Sequence, residues 1–114
     1  MFNLFQSKPT SYKNIQCQEL ENKISENKGS KLGMIDVRTK MEFEDGHIPG
    51  SVNIDLYDPS FQKKLDALDK DKTYYVYCRS GNRSAHACNM MAKHGFKDLY
   101  NLKGGMIYWS GPVE

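Results

Sequence analysis

Apolar residues recur along this chain at two alternating periods, and the switches between them mark its elements. Tyr12 to Ile15 can start a short strand. From Cys17 to Asn27, Leu20 and Ile24 stand four apart among Glu19, Glu21, Lys23 and Glu26, the spacing of a helix with one buried face. Gly29-Ser30 ends it. Leu32 to Val37 carries Met34, Ile35 and Val37 in a short apolar run, a candidate buried strand. Residues 39–45 are predicted as a short helix with Met41 and Phe43 as apolar cover, and Gly46 and the Ile48-Pro49-Gly50 turn break it. Val52 to Ile54 is another short strand. Pro59 can open a helix through Leu68, with Phe61, Leu65 and Leu68 at helical spacing.

Thr73 to Tyr77 reads Thr-Tyr-Tyr-Val-Tyr and is the strongest strand signal in the chain. A nearly continuous β-branched and aromatic run fits a central parallel strand covered on both faces. A polar loop containing glycine follows at once. Arg83 to His94 then reads as a helix closed by Gly95. Asp98 to Leu102 gives a last strand, and Gly104-Gly105 leads into Met106 to Trp109. Strands alternate with helices throughout, so the fold class is α/β with a mostly parallel sheet.

The chain's 114 residues correspond to one domain, large enough to bury roughly two-thirds of its unfolded surface. Residues 1–11 read as an N-terminal extension and residues 12–114 as the domain. Hydrophobic residues at 39% and charged residues at 26% argue against wholesale disorder. The longest apolar run, Tyr74 to Cys78, falls far short of the roughly 20 residues of a membrane span. Net charge is +2 with no block of basic residues, which disfavours a nucleic-acid partner. No basic region precedes the apolar Met1–Phe5 stretch, so a secretory leader is not expected, and a cytoplasmic setting suits free thiols.

Three cysteines, Cys17, Cys78 and Cys88, are an odd number, and no CxxC pair exists. Neither a disulfide framework nor a metal or other cofactor is expected. Cys88 shares a helix face with Ala85, Met91 and Ala92 and reads as core; Cys17 reads as structural. Cys78 differs, because Cys78-Arg79-Ser80-Gly81-Asn82-Arg83-Ser84 lies between the most buried strand and a helix N-terminus. In open α/β sheets, ligands bind beyond the carboxyl ends of the strands. A helix N-terminus offers unpaired N–H groups and a partial positive charge. Gly81 permits a tight bend, successive N–H groups can point inward, and Arg79 and Arg83 add two cations. Each feature favours a thiolate at Cys78, the nucleophilic form.

This loop resembles the active-site loop of the rhodanese family of sulfurtransferases. Met34-Ile35-Asp36-Val37-Arg38, then Glu42-Phe43, then Gly46 to Ile54 resemble that family's N-terminal signature. Gly95-Phe96, Tyr100 to Met106 and Trp109 resemble its C-terminal one. The resemblance spans residues 14–111. It implies a single rhodanese domain with a five-stranded, mainly parallel sheet and helices on both faces. It also implies that Cys78 takes the outer sulfur from a small donor such as thiosulfate, becomes a persulfide, and passes the sulfur to cyanide or a thiol, including a protein thiol. Residues 79–84 would then cradle the charged sulfur. No general base is needed, and the loop holds no His or carboxylate.

Asp36 ends a strand at the same rim and is a candidate support for the loop. Arg38 and Glu42, four apart, read as an ion pair. His47, His86 and His94 have no partners at metal-ligand spacing. Two other readings compete. Cysteine phosphatases and arsenate reductases also use a thiolate in an anion-binding loop, but with five residues between Cys and Arg; here there are four, from Arg79 to Asn82. A binding module without chemistry would not require Cys78, whereas a persulfide carrier serving a protein partner would.

Overall fold

The computed structural model describes residues 12–28 and 32–114; the proposed extension and the Gly29-Ser30 turn lie outside them. In chain order the elements are β1 (Lys13–Ile15), α1 (Cys17–Glu26), β2 (Gly33–Asp36), α2 (Lys40–Glu44), β3 (Val52–Asn53), α3 (Phe61–Asp66), β4 (Thr73–Tyr77), α4 (Asn82–Lys93), β5 (Asp98–Leu102) and α5 (Gly105–Tyr108). Five strands form one sheet in the order β1-β5-β4-β2-β3, and every pairing is parallel. The α/β class and the five-stranded sheet are as the sequence pattern and the resemblance imply.

β4 is central. Its Tyr75 lies opposite Met34 of β2 and Tyr100 of β5, and its Val76 lies opposite Ile35 and Asn101. Successive side chains of a strand point to opposite faces. Tyr74, Val76 and Cys78 therefore join the layer that α3 and α4 cover, with Phe61, Leu65, Cys88 and Met91. Tyr75 and Tyr77 face the other layer, with Leu20 of α1 and Leu102. Both faces of β4 are buried, which is why its sequence shows no polar alternation.

The observed ends differ from the sequence reading where side chains compete for backbone groups. The helix expected from Pro59 to Leu68 is confined to Phe61–Asp66. Asp58 Oδ1 accepts from both the N–H and the hydroxyl of Ser60 at 2.8 Å, so the chain turns before it coils. The strand expected to reach Ile54 stops at Asn53, whose amide crosses to the carbonyls of Asp36 and Arg38.

The short α5 positions the site more than its length suggests. Its Met106 N–H donates to the Cys78 carbonyl and its Ile107 N–H to the Arg79 carbonyl, both at 3.0 Å. Gly105 makes that approach possible. Its φ is +54°, and a Cβ there would stand 2.4 Å from the Cys78 oxygen and 2.6 Å from the Arg79 oxygen. Neither backbone atom can give way cheaply. Gly105→Ala is therefore expected to cost ~1–3 kcal/mol in urea unfolding, the scale of a strained backbone position. An unchanged midpoint would mean that α5 does not brace the loop.

Candidate active site

β4 delivers Cys78 to the carboxyl-end rim of the sheet, where the chain turns into α4. Cys78 is fully buried. The Gly81 N–H donates to its Sγ at 3.1 Å and the Ser84 N–H at 3.4 Å; the Ser84 hydroxyl also lies 3.4 Å away. Gly81 makes this curl. Its φ is +100°, and a Cβ would press on the Gly104 nitrogen at 3.2 Å and the Leu102 oxygen at 3.3 Å. Burial pushes the Cys78 thiol up, but its contacts with Ser84, Gly81 and Ser80 outweigh that and bring it below its ordinary value. The other two thiols go the opposite way. Burial carries Cys88 up to about 12, and burial followed by the Glu21 charge raises Cys17.

The candidate loop residues divide by position. Gly81 and Ser84 are buried against the sulfur, Arg83 is half-buried, and Arg79, Ser80 and Asn82 are exposed. The expected contribution of two arginines is corrected by the geometry. Arg83 grips Glu42 of α2 with two bonds, Nη1 to Oε1 at 2.8 Å and Nη2 to Oε2 at 3.0 Å. That hydrogen-bonded pair draws the Glu42 carboxyl down to about 2, so Arg83 is matched by a permanent negative charge. Arg79 has no ion-pair partner among the described residues.

The expected Arg38–Glu42 pair is absent. Four-residue spacing brings side chains together only when both residues are helical. Arg38 instead precedes the N-cap Thr39, outside the helix. Its Nη2 bonds Asp36 Oδ2 at 2.7 Å and the Gly46 carbonyl at 2.7 Å, while its backbone N–H bonds Asp36 Oδ1 at 2.9 Å. Asp36, fully buried, thus reaches the site only by orienting Arg38. Arg38 in turn lines a cavity of about 320 Å³ with Glu42, Arg79 and Ile107. A larger one, about 740 Å³, lies on the other side of the loop against Ser80, Gly81 and Asn82. Cys78 lines neither. Arg79 and Arg38 face the smaller cavity together with the carboxylates of Glu42 and Asp45. His47 bonds the Phe43 carbonyl and stacks on its ring, and His86 and His94 are exposed on α4.

The comparisons bear on this geometry directly. The family model for the rhodanese-like domain matches residues 16–111, nearly all of the described chain. The chain belongs to the rhodanese-like family. This rhodanese-like domain is 40% identical over 102 residues to "Putative sulfurtransferase YtwF" of Bacillus subtilis (strain 168), covering 90% of this chain and 94% of that protein. It is also 40% identical over 83 residues to "Putative sulfur carrier protein YrkF" of the same organism, covering 73% of this chain but only 44% of that protein. Among solved structures it resembles a rhodanese-like domain protein from Staphylococcus aureus, with a TM-score of 0.79 and 32% identity over 90% of this chain and 96% of that one. The family is one of sulfurtransferases and sulfur carriers.

Two features of the site escaped the sequence reading. Thr39-x-x-Glu42 is a capping box, legible from spacing alone. Its second use, holding Arg83 from 41 positions away, is not. Asn101, a buried amide inside a strand, contradicts strand propensity and in that sense announces itself.

The Glu42–Arg83 pair carries a pH signature. Because Glu42 titrates lower in the folded chain than in the unfolded one, its stabilisation is complete above the ordinary carboxylate pKa of about 4.3 and fades as pH falls toward 2. Glu42→Gln keeps the cap's acceptor and removes the charge. After screening for partial exposure, it is expected to cost ~1 kcal/mol at pH 7 and less at pH 3, read by urea unfolding at both. An equal loss at both pH values would contradict a charge-based role.

Proposed function

We propose that this chain carries a sulfane sulfur as a persulfide on Cys78, taken from an anionic donor such as thiosulfate and given to a nucleophilic acceptor. The observation that carries this reading is the pair of backbone N–H groups, Gly81 and Ser84, aimed at a buried sulfur. Attack by the Cys78 thiolate on the outer sulfur of thiosulfate forms a new S–S bond. The old S–S bond breaks, and sulfite leaves with the electron pair. The product is Cys–S–S⁻, and the inward N–H groups oppose the charge before and after the step without rearranging. A second nucleophile, cyanide or a thiolate, then takes the terminal sulfur and returns Cys78 as thiolate.

Arg79, rather than both arginines, draws the anionic donor in this scheme, since Glu42 already occupies Arg83. The exposed side chains of Arg79, Ser80 and Asn82 make no contact that holds the sulfur, so they are the part of the loop free to yield to a donor. Four residues between Cys78 and Arg83 make a ring smaller than the phosphatase loop, suited to one added sulfur rather than a phosphate group. A protein thiol is a reasonable alternative acceptor. Ile107 and Tyr108 of α5 are 57% and 73% exposed next to the loop, and one relative bears the name of a sulfur carrier protein.

Incubation with thiosulfate is expected to add the mass of one sulfur atom to the protein, and cyanide is expected to remove it. Cys78→Ser should abolish the addition, while Cys17→Ser and Cys88→Ala should retain it, all read by intact mass. Sulfur loading that persists in Cys78→Ser would sink the reading.

A further inference from the structure

Asn101 of β5 is 4% exposed. A buried amide is costly unless its groups are bonded, and this one is bonded throughout. Its Nδ2 donates to the Gly81 carbonyl and to Asn14 Oδ1, each at 3.2 Å, and its Oδ1 is 2.5 Å from the Ser84 hydroxyl. The Gly81 carbonyl can only accept, so the nitrogen of the amide must be the atom that faces it. Oδ1 is thereby turned to Ser84. An amide oxygen has no proton, so the hydroxyl supplies the one in that bond. A hydroxyl has a single proton. The hydroxyl could give that proton to Cys78 Sγ, 3.4 Å away, but the much shorter bond to Asn101 takes it, which leaves the Ser84 oxygen only lone pairs for the sulfur.

We propose that Asn101 is a positioning residue that claims the Ser84 proton, so that backbone N–H groups alone hold the Cys78 thiolate while the Ser84 oxygen accepts from the neutral thiol. The consequence for sulfur transfer rests on the persulfide reading above. Attacking thiols are most effective with a pKa near ambient pH, because nucleophilicity falls as the pKa falls. A third donor on the sulfur would stabilise the anion and blunt its attack. Asn101 withholds that donor and leaves the sulfur both ionised and reactive.

The charged and titratable groups around Cys78 are Arg79 in the loop, Arg83 and Cys88 on α4, and Glu42 of α2 acting through Arg83. Glu42 is drawn down to about 2, Cys88 is pushed up to about 12 and Glu42 holds Arg83 above its ordinary value, so a Cys78 titration between pH 5 and 10 is free of these three.

The test is iodoacetamide alkylation of Cys78 against pH, resolved by peptide mass, in wild type, Asn101→Ala, Ser84→Ala and the double variant. It uses no sulfur donor, so it stands or falls separately from the transfer reaction. Freed from Asn101, the Ser84 proton turns to the thiolate, and Asn101→Ala should lower the Cys78 pKa by roughly one unit, the worth of one hydrogen bond to a charge. Ser84→Ala alone should not raise it, and adding Ser84→Ala to Asn101→Ala should reverse the fall. A merely structural role for Asn101 predicts the opposite sign, because a loosened loop loses its N–H donors. A pKa that is unchanged or raised in Asn101→Ala, raised in Ser84→Ala, or still low in the double variant would overturn the proposal.

Discussion

Everything at this site depends on which way the backbone of residues 78–84 faces. A tight loop has as many carbonyls as N–H groups, and left alone it would solvate both. Here three of the carbonyls are taken by partners outside the loop. Cys78 and Arg79 give theirs to the N–H groups of α5, and Gly81 gives its own to Ala85 and Asn101. The N–H groups of Gly81 and Ser84 are left to converge on a buried sulfur. The sheet supplies the rim, but α5 and β5 turn the loop inside out. Because these partners belong to rigid elements, the cradle exists before any charge arrives, and that is what makes it worth more than water.

The side-chain charges play a different part. Arg83 is a strut. It ties α4 to α2 through Glu42, and its charge is spent there. Asp36 and Arg38 form a second buried pair that fixes the turn after β2 and leaves Arg38 on the cavity rim. Arg79 alone of the three has no ion-pair partner among the described residues. In the proposed reaction, stabilising the sulfur and recruiting a donor therefore fall to different groups, backbone N–H groups for the first and the exposed Arg79 side chain for the second.

Much of this fold was legible from the chain. The unbroken Thr73–Tyr77 run marked the central strand because both of its faces are buried, and the strand–loop–helix order located Cys78 at the rim. Local spacing failed wherever an interaction was distant or an element began late. Arg38 and Glu42 stand four apart yet do not meet, because the helix starts between them. Arg83 reaches from α4 to Glu42 of α2 across 41 positions of sequence, and the α5 contacts with the Cys78 and Arg79 carbonyls join segments that no periodicity links. Asn101 lay within the matched C-terminal segment without any sign that its amide meets a hydroxyl on the preceding helix.

If oriented backbone groups rather than arginines hold the Cys78 anion, their effect must survive salt. Exposed charges are screened over about 10 Å at 0.1 M and about 3 Å at 1 M, whereas buried hydrogen bonds at contact are barely affected. The decisive measurement is the alkylation pKa of Cys78 in the wild-type chain at low salt and again at about 1 M. The cradle predicts a value below the unperturbed 8.5 or so, and nearly the same in both conditions. A value at or above that mark, or one that climbs toward it as salt is added, would contradict it.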